Sequence, residues 1–150
     1  MRTRSLSLIV LPFLCAMLVS PIAAPIAAAA DSEPVIVHLG HFTDDLHAAS
    51  MALGIANMLQ KGGSAVTLFL DREGVRLADS RVPQDLRWGK ARPIADAYSG
   101  FVKAGGTVLL CSHCAEAAGI DESHLRQGAR LGSDESVAAA FAAATKVIDY

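Results

Sequence analysis

The chain predicts an α/β domain of three layers, with helices on both faces of a parallel sheet. Short β-branched apolar runs alternate with longer stretches that are apolar at helical spacing. The runs are apolar throughout rather than at every second residue, as strands covered on both faces require. Behind an N-terminal leader, about 120 residues remain, enough for one core and too few for two.

The leader is read over residues 1–30. Arg2 and Arg4 precede an apolar run from Leu6 to Val19, and a small-residue tract ends at Ala28, Ala29 and Ala30 before Asp31. The run is short for a membrane span and is followed by Pro21 and Pro25, so export without a stable membrane anchor is expected, to a periplasmic or secreted location. Cys15 follows bulky Leu14 rather than the small residue a lipoprotein signal needs. The domain then covers residues 31–150. Loss of Arg2 and Arg4 leaves eleven basic residues against fifteen acidic ones, a net charge of −4 that excludes a nucleic-acid partner.

Residues 35–39 form the first strand, and Thr43 offers a cap before Asp44 and Asp45. Ala49, Leu53, Ala56 and Leu59 mark the buried face of a helix over 46–60, which Gly62 and Gly63 stop. Residues 65–70 read as a second strand, which makes the opening a β-α-β unit. The polar stretch 71–92, with Gly74, Pro83, Gly89 and the sole Trp88, reads as a long connection with little regular structure beyond one turn, of the kind that covers sites or makes subunit contacts.

Pro93 suits a first helical position, and Ile94, Ala97, Tyr98, Phe101 and Val102 share one face of the helix that ends at Gly105 and Gly106. The third strand is 107–110, followed by a short helix, a turn at Gly119 and a polar stretch to Leu131. Ser133, Asp134 and Glu135 open an alanine-rich helix, read as an ordinary packed helix, and residues 146–150 form a final strand.

Reactive groups in such sheets collect beyond the carboxyl ends of the strands. The third strand ends in Cys111-Ser112-His113-Cys114, two thiols three residues apart at a helix start. A thiolate at Cys111 would face unpaired N–H groups and the positive end of the helix dipole, which favours it as a nucleophile. Cys114, one turn later, is placed to attack a sulfur held on Cys111, so the pair can carry sulfur or electrons. A bridge between them closes too small a loop to staple a fold.

His113 either favours the Cys111 thiolate when protonated or is a solvated loop residue. His41 lies in the loop after the first strand. In a doubly wound sheet of the 2-1-3 type, where the first and third strands are neighbours, it would share a crevice with the cysteines. His38, inside the apolar strand, reads as a histidine satisfied by a core hydrogen bond, and Asp71, Arg72 and Glu73 read as a solvated turn.

Three patches resemble the DsrE/DsrF-like family of sulfur-relay subunits and related small proteins. They are residues 35–39 with Thr43-Asp44-Asp45-Leu46-His47, residues 66–70 running into Glu73-Gly74-Val75-Arg76-Leu77-Ala78, and Cys111-Ser112-His113-Cys114 leading to Gly119-Ile120. The resemblance implies a flavodoxin-like fold and a homo-oligomer, a trimer or hexamer. It also implies a persulfide-carrying cysteine where Cys111 stands, with a second cysteine at the position of Cys114. Many relatives carry Arg before the glycine of this motif, where this chain has Ala118.

The leading expectation is therefore an exported sulfur carrier or sulfurtransferase-like protein, with no resident cofactor. Cys111 would hold sulfane sulfur as a persulfide and Cys114 would resolve it. Its partner would be a sulfur donor or acceptor protein, or a small sulfane-sulfur compound. A copper or zinc binding module using Cys111 and Cys114 with His113 or His41 is the alternative from another class, although a closed zinc site usually takes four protein ligands. A thiol-disulfide redox protein is a third reading, and an oligomerising scaffold with inert cysteines a fourth.

Overall fold

A computed structural model describes residues 32–83 and 85–150; the leader expected over residues 1–30 lies outside them. The strands are β1 (Pro34–Leu39), β2 (Ala65–Leu70), β3 (Thr107–Cys111), β4 (Ala129–Gly132) and β5 (Lys146–Asp149). They form one parallel sheet in the order β4-β3-β2-β1-β5. The helices are α1 (Leu46–Lys61), α2 (Ile94–Lys103), α3 (Ser112–Ala117) and α4 (Asp134–Ala143).

Alternation along the strands sends side chains to two faces. Val35, Val37, Leu39, Leu68, Leu70, Val108 and Leu110 enter the main core, with Ala49, Leu53 and Ala56 of α1 and Ala97 and Phe101 of α2. Asn57, buried between those helices, donates through Nδ2 to the carbonyls of Leu53 (2.8 Å) and Ala97 (2.9 Å). The opposite face holds a smaller cluster of Ile36, Phe69 and Leu109, against which Val137, Ala140 and Ala144 pack. These two cores make the three-layer α/β fold that the alternating pattern predicts.

The strand order changes one neighbour relation. β2 lies between β1 and β3, so the first and third strands are not adjacent, and the 2-1-3 arrangement does not apply. Other differences are local. The cap of α1 is Asp45, whose carboxylate accepts the Ala48 N–H at 2.9 Å, rather than Thr43. The connection after β2 begins with a 3₁₀ segment, Arg72–Ala78, that buries Val75, Leu77 and Ala78. The polar stretch before α4 contains β4, a four-residue edge strand. α4 starts at its Ser133 cap as expected and packs Val137 and Ala140 against the smaller core, yet none of its residues is fully buried.

Asp79 fastens the long connection. Its buried carboxylate accepts from the Arg81 backbone N–H (2.9 Å), Nε (2.9 Å) and Nη2 (2.8 Å), and Arg81 Nη2 also reaches the Gly119 carbonyl at the end of the cysteine helix (3.0 Å). The Arg81 side-chain hydrogen bonds hold the Asp79 carboxyl below its ordinary value. A depressed carboxylate contributes stability that is complete above its unfolded value, about pH 4, and is lost as pH falls through the lower folded value. Asp79→Asn is expected to lower stability by about 1–3 kcal/mol at neutral pH. Urea titrations from pH 7 downward should show the two proteins converging in acid, below the folded value of Asp79.

Candidate functional site

The site is built where β3 hands over to α3. Cys111 is both the last residue of β3 and the cap of α3, its sulfur accepting the Cys114 N–H at 3.4 Å. One helical turn later stands Cys114, next to the turn that follows β2. Both cysteines are free and of intermediate exposure. Burial pushes the Cys114 thiol up, and the neighbouring Cys111 and the negative charge of Asp71 push it the same way. The backbone of Arg72 opposes them. The net direction for the Cys114 thiol is upward, which favours its protonated form.

The turn after β2 completes the surroundings of Cys114. Arg72 has a φ of 44°, left-handed backbone that is uncommon for a side chain of this size. Its Nε lies 3.1 Å from Asp71 Oδ1, and its guanidinium lies across Gly40, where a Cβ would fall 2.0 Å from Nη2. Two residues on, a Cβ at Gly74 would fall 2.1 Å from the Leu39 carbonyl oxygen. Glycines at 40 and 74 therefore let the turn press against the end of β1 while it touches α3. Arg72 and Glu73 are exposed, as the solvated turn read from the sequence requires, and they also line the groove beside Cys114.

The two thiols open onto different spaces. Cys111 lines a pocket of about 350 Å³ with Phe69, Val137, Ala138 and Phe141, and Phe141 meets Phe69 edge-on with ring centroids 5.2 Å apart. Cys114 lines a smaller groove of about 220 Å³ with Arg72, Glu73 and Arg76. Neither wall was legible in the sequence, since Phe69 and Phe141 are far apart along the chain and meet only through the sheet and α4.

The structure does not gather the predicted histidines around the cysteines. His41 Nδ1 bonds Asp44 Oδ2 at 2.6 Å, while Asp44 Oδ1 accepts the Phe42 N–H at 2.7 Å. That N–H first, and His41 second, hold the Asp44 carboxyl below its ordinary value. His41 thus serves the start of α1, with β2 interposed between its strand and the cysteines, and the shared crevice is not formed. His113 is 78% exposed, with Nε2 3.6 Å from Asp134 Oδ1. Among the described residues, no three His, Cys, Asp or Glu side chains converge as a metal site.

His38 makes one side-chain hydrogen bond, as expected, through Nδ1 to Asp149 of β5, which joins β1 to β5. Its buried Nε2 lies 2.9 Å from Asp71 Oδ1 without the alignment of a hydrogen bond. Trp88, within the long connection, stacks on His47 of α1 with ring centroids 4.0 Å apart and remains 48% exposed.

A family model described as the DsrE/DsrF-like family matches residues 35–150. Among solved structures, the YchN protein from E. coli is 20% identical and superposes with a TM-score of 0.64 over 79% of this chain and 99% of its own. MTH1491 from Methanobacterium thermoautotrophicum, described as a protein of unknown function, is 14% identical. It gives a TM-score of 0.62 over 79% of this chain and all of its own. At these identities the likeness is one of fold. No curated protein matches the chain.

Proposed function

The chain belongs to the DsrE/DsrF-like family, and on that premise we propose that it is an exported sulfur carrier in which Cys111 takes up sulfane sulfur as a persulfide and Cys114 resolves it. The observation that carries the reading is the placement of the two cysteines: the Cys111 sulfur caps α3, accepting the Cys114 N–H at 3.4 Å, and lines the pocket beside Phe69 and Phe141, while Cys114 lies one turn on, in the groove beside Arg72, where burial pushes its thiol up. Cys111 attacks the outer sulfur of a donor R–S–SH, whose S–S bond breaks. R–S⁻ leaves with the electron pair and takes up a proton, and Cys111–S–SH remains.

The raised Cys114 thiol then delays the second step. Only a thiolate attacks, so a protonated Cys114 leaves the persulfide standing long enough to meet an acceptor. When Cys114 does ionise, helped by the Arg72 backbone, it attacks the Cys111 sulfur and the outer sulfur leaves as hydrosulfide with the electron pair. The resulting disulfide is returned to two thiols by an external dithiol, which supplies two electrons. The carrier works in the periplasm or as a secreted protein, associates with copies of itself, and exchanges sulfur with a donor or acceptor protein or with a small sulfane compound.

Intact mass spectrometry of the reduced protein after exposure to polysulfide tests the reading. A gain of about 32 Da or its multiples, reversed by thiol reductant, is expected. A loss of about 2 Da in the parent together with no gain of sulfur by Cys114→Ser, which cannot close the disulfide, would make the pair a redox couple instead.

A further inference from the structure

Resting on that reading, we propose that Cys111 loads from an uncharged, apolar sulfane, of the class of elemental sulfur rings and chains, held in the pocket between β2, β3 and α4. The pocket has the size of a small-molecule site, about 350 Å³, and its wall away from the thiol is Phe69, Val137, Ala138 and Phe141. Sulfur rings carry no charge and no hydrogen-bonding hydrogen, and their polarisable surface suits aromatic faces and edges. The pair of Phe69 and Phe141, with Phe141 still 37% exposed, supplies both.

Charge argues against anionic donors on this side. The rim of the pocket holds His113 and Asp134, whose side chains face each other at 3.6 Å. No lysine or arginine lines it. The cations lie at the other thiol, where Arg72 and Arg76 line the Cys114 groove. A thiosulfate or polysulfide dianion gains no cation from the apolar wall, so it meets the half-exposed Cys111 from the solvent side without occupying the pocket.

The loading step needs no oxidant or reductant. The Cys111 thiolate attacks one sulfur of a ring, a ring S–S bond breaks as the Cys111 S–S bond forms, and the electron pair passes to the far end of the opened chain as a thiolate. Every sulfur of the ring stays on the protein.

The test compares the reduced protein with a Phe141→Gln variant, whose exposed position makes refolding of the domain unnecessary. Each is offered cyclo-octasulfur or inorganic polysulfide in separate reactions, and bound sulfur is followed by intact mass. Alkylation of Cys111 by iodoacetamide checks that its reactivity is unchanged. The expected result is that cyclo-octasulfur loads the parent, and that Phe141→Gln lowers the ratio of cyclo-octasulfur to polysulfide loading rates tenfold or more. Equal cyclo-octasulfur loading of the two proteins, or none of the parent beside normal polysulfide loading, overturns the apolar pocket and leaves the carrier reading intact. Failure of Cys111 to take sulfur from either source overturns both.

Discussion

Cys111→Ser is expected to lower sulfur uptake by at least about a hundredfold even though Cys114 remains. A serine hydroxyl is not ionised near neutral pH and does not attack sulfane sulfur, so the loss concerns the nucleophile and not the pocket. The fold should survive, because the serine oxygen can still accept the Cys114 N–H that the Cys111 sulfur accepts now. Cys114→Ser should behave differently. It keeps uptake, since Cys111 is untouched, but it cannot close the disulfide, so the persulfide persists until an external thiol removes it. Intact mass over time separates the two: no gain for the first variant, and a gain without spontaneous decay for the second. Equal uptake by Cys111→Ser and the parent would assign the chemistry to Cys114.

Phe101→Ala is expected to cost about 3–5 kcal/mol, through lost transfer energy and the cavity left behind. Phe101 is fully buried in the main core, and its ring lies where a Cβ on Gly106 would fall, 2.3 Å away. Gly106 immediately precedes β3, so the ring sets how closely the cysteine-bearing strand packs on α2. The urea midpoint should fall with little change in slope, and sulfur uptake of the folded fraction should remain. A variant as stable as the parent would mean that the core at the root of β3 repacks freely.

Much of the fold was legible because its signals are local. Buried parallel strands are continuous apolar runs, and residues 35–39, 65–70 and 107–110 were recognisable by that character alone. β4 escaped because four residues with an arginine among them, on a sheet edge, carry no such run. The 3₁₀ segment escaped because Glu73 and Arg76 mask a buried face made of Val75, Leu77 and Ala78.

The site divided along the same line. The thiols and their order announced themselves, since spacing along a helix start is a local property. Their surroundings depended on strand order, which periodicity does not encode. With β2 between β1 and β3, the partner of Cys114 is the turn at Asp71 and Arg72, and His41 is held by Asp44 at the start of α1. The exposed Phe141 took on meaning only when α4 placed it against Phe69.

The most direct test of sulfur carriage locates the atom. The reduced protein is loaded with polysulfide, free thiols and persulfides are blocked with iodoacetamide, and the peptide holding residues 111–114 is fragmented between the two cysteines. An added sulfur of about 32 Da on the Cys111 side is the expected result. The same mass on the Cys114 side, or two blocked thiols with no sulfur added, would contradict a persulfide held on Cys111.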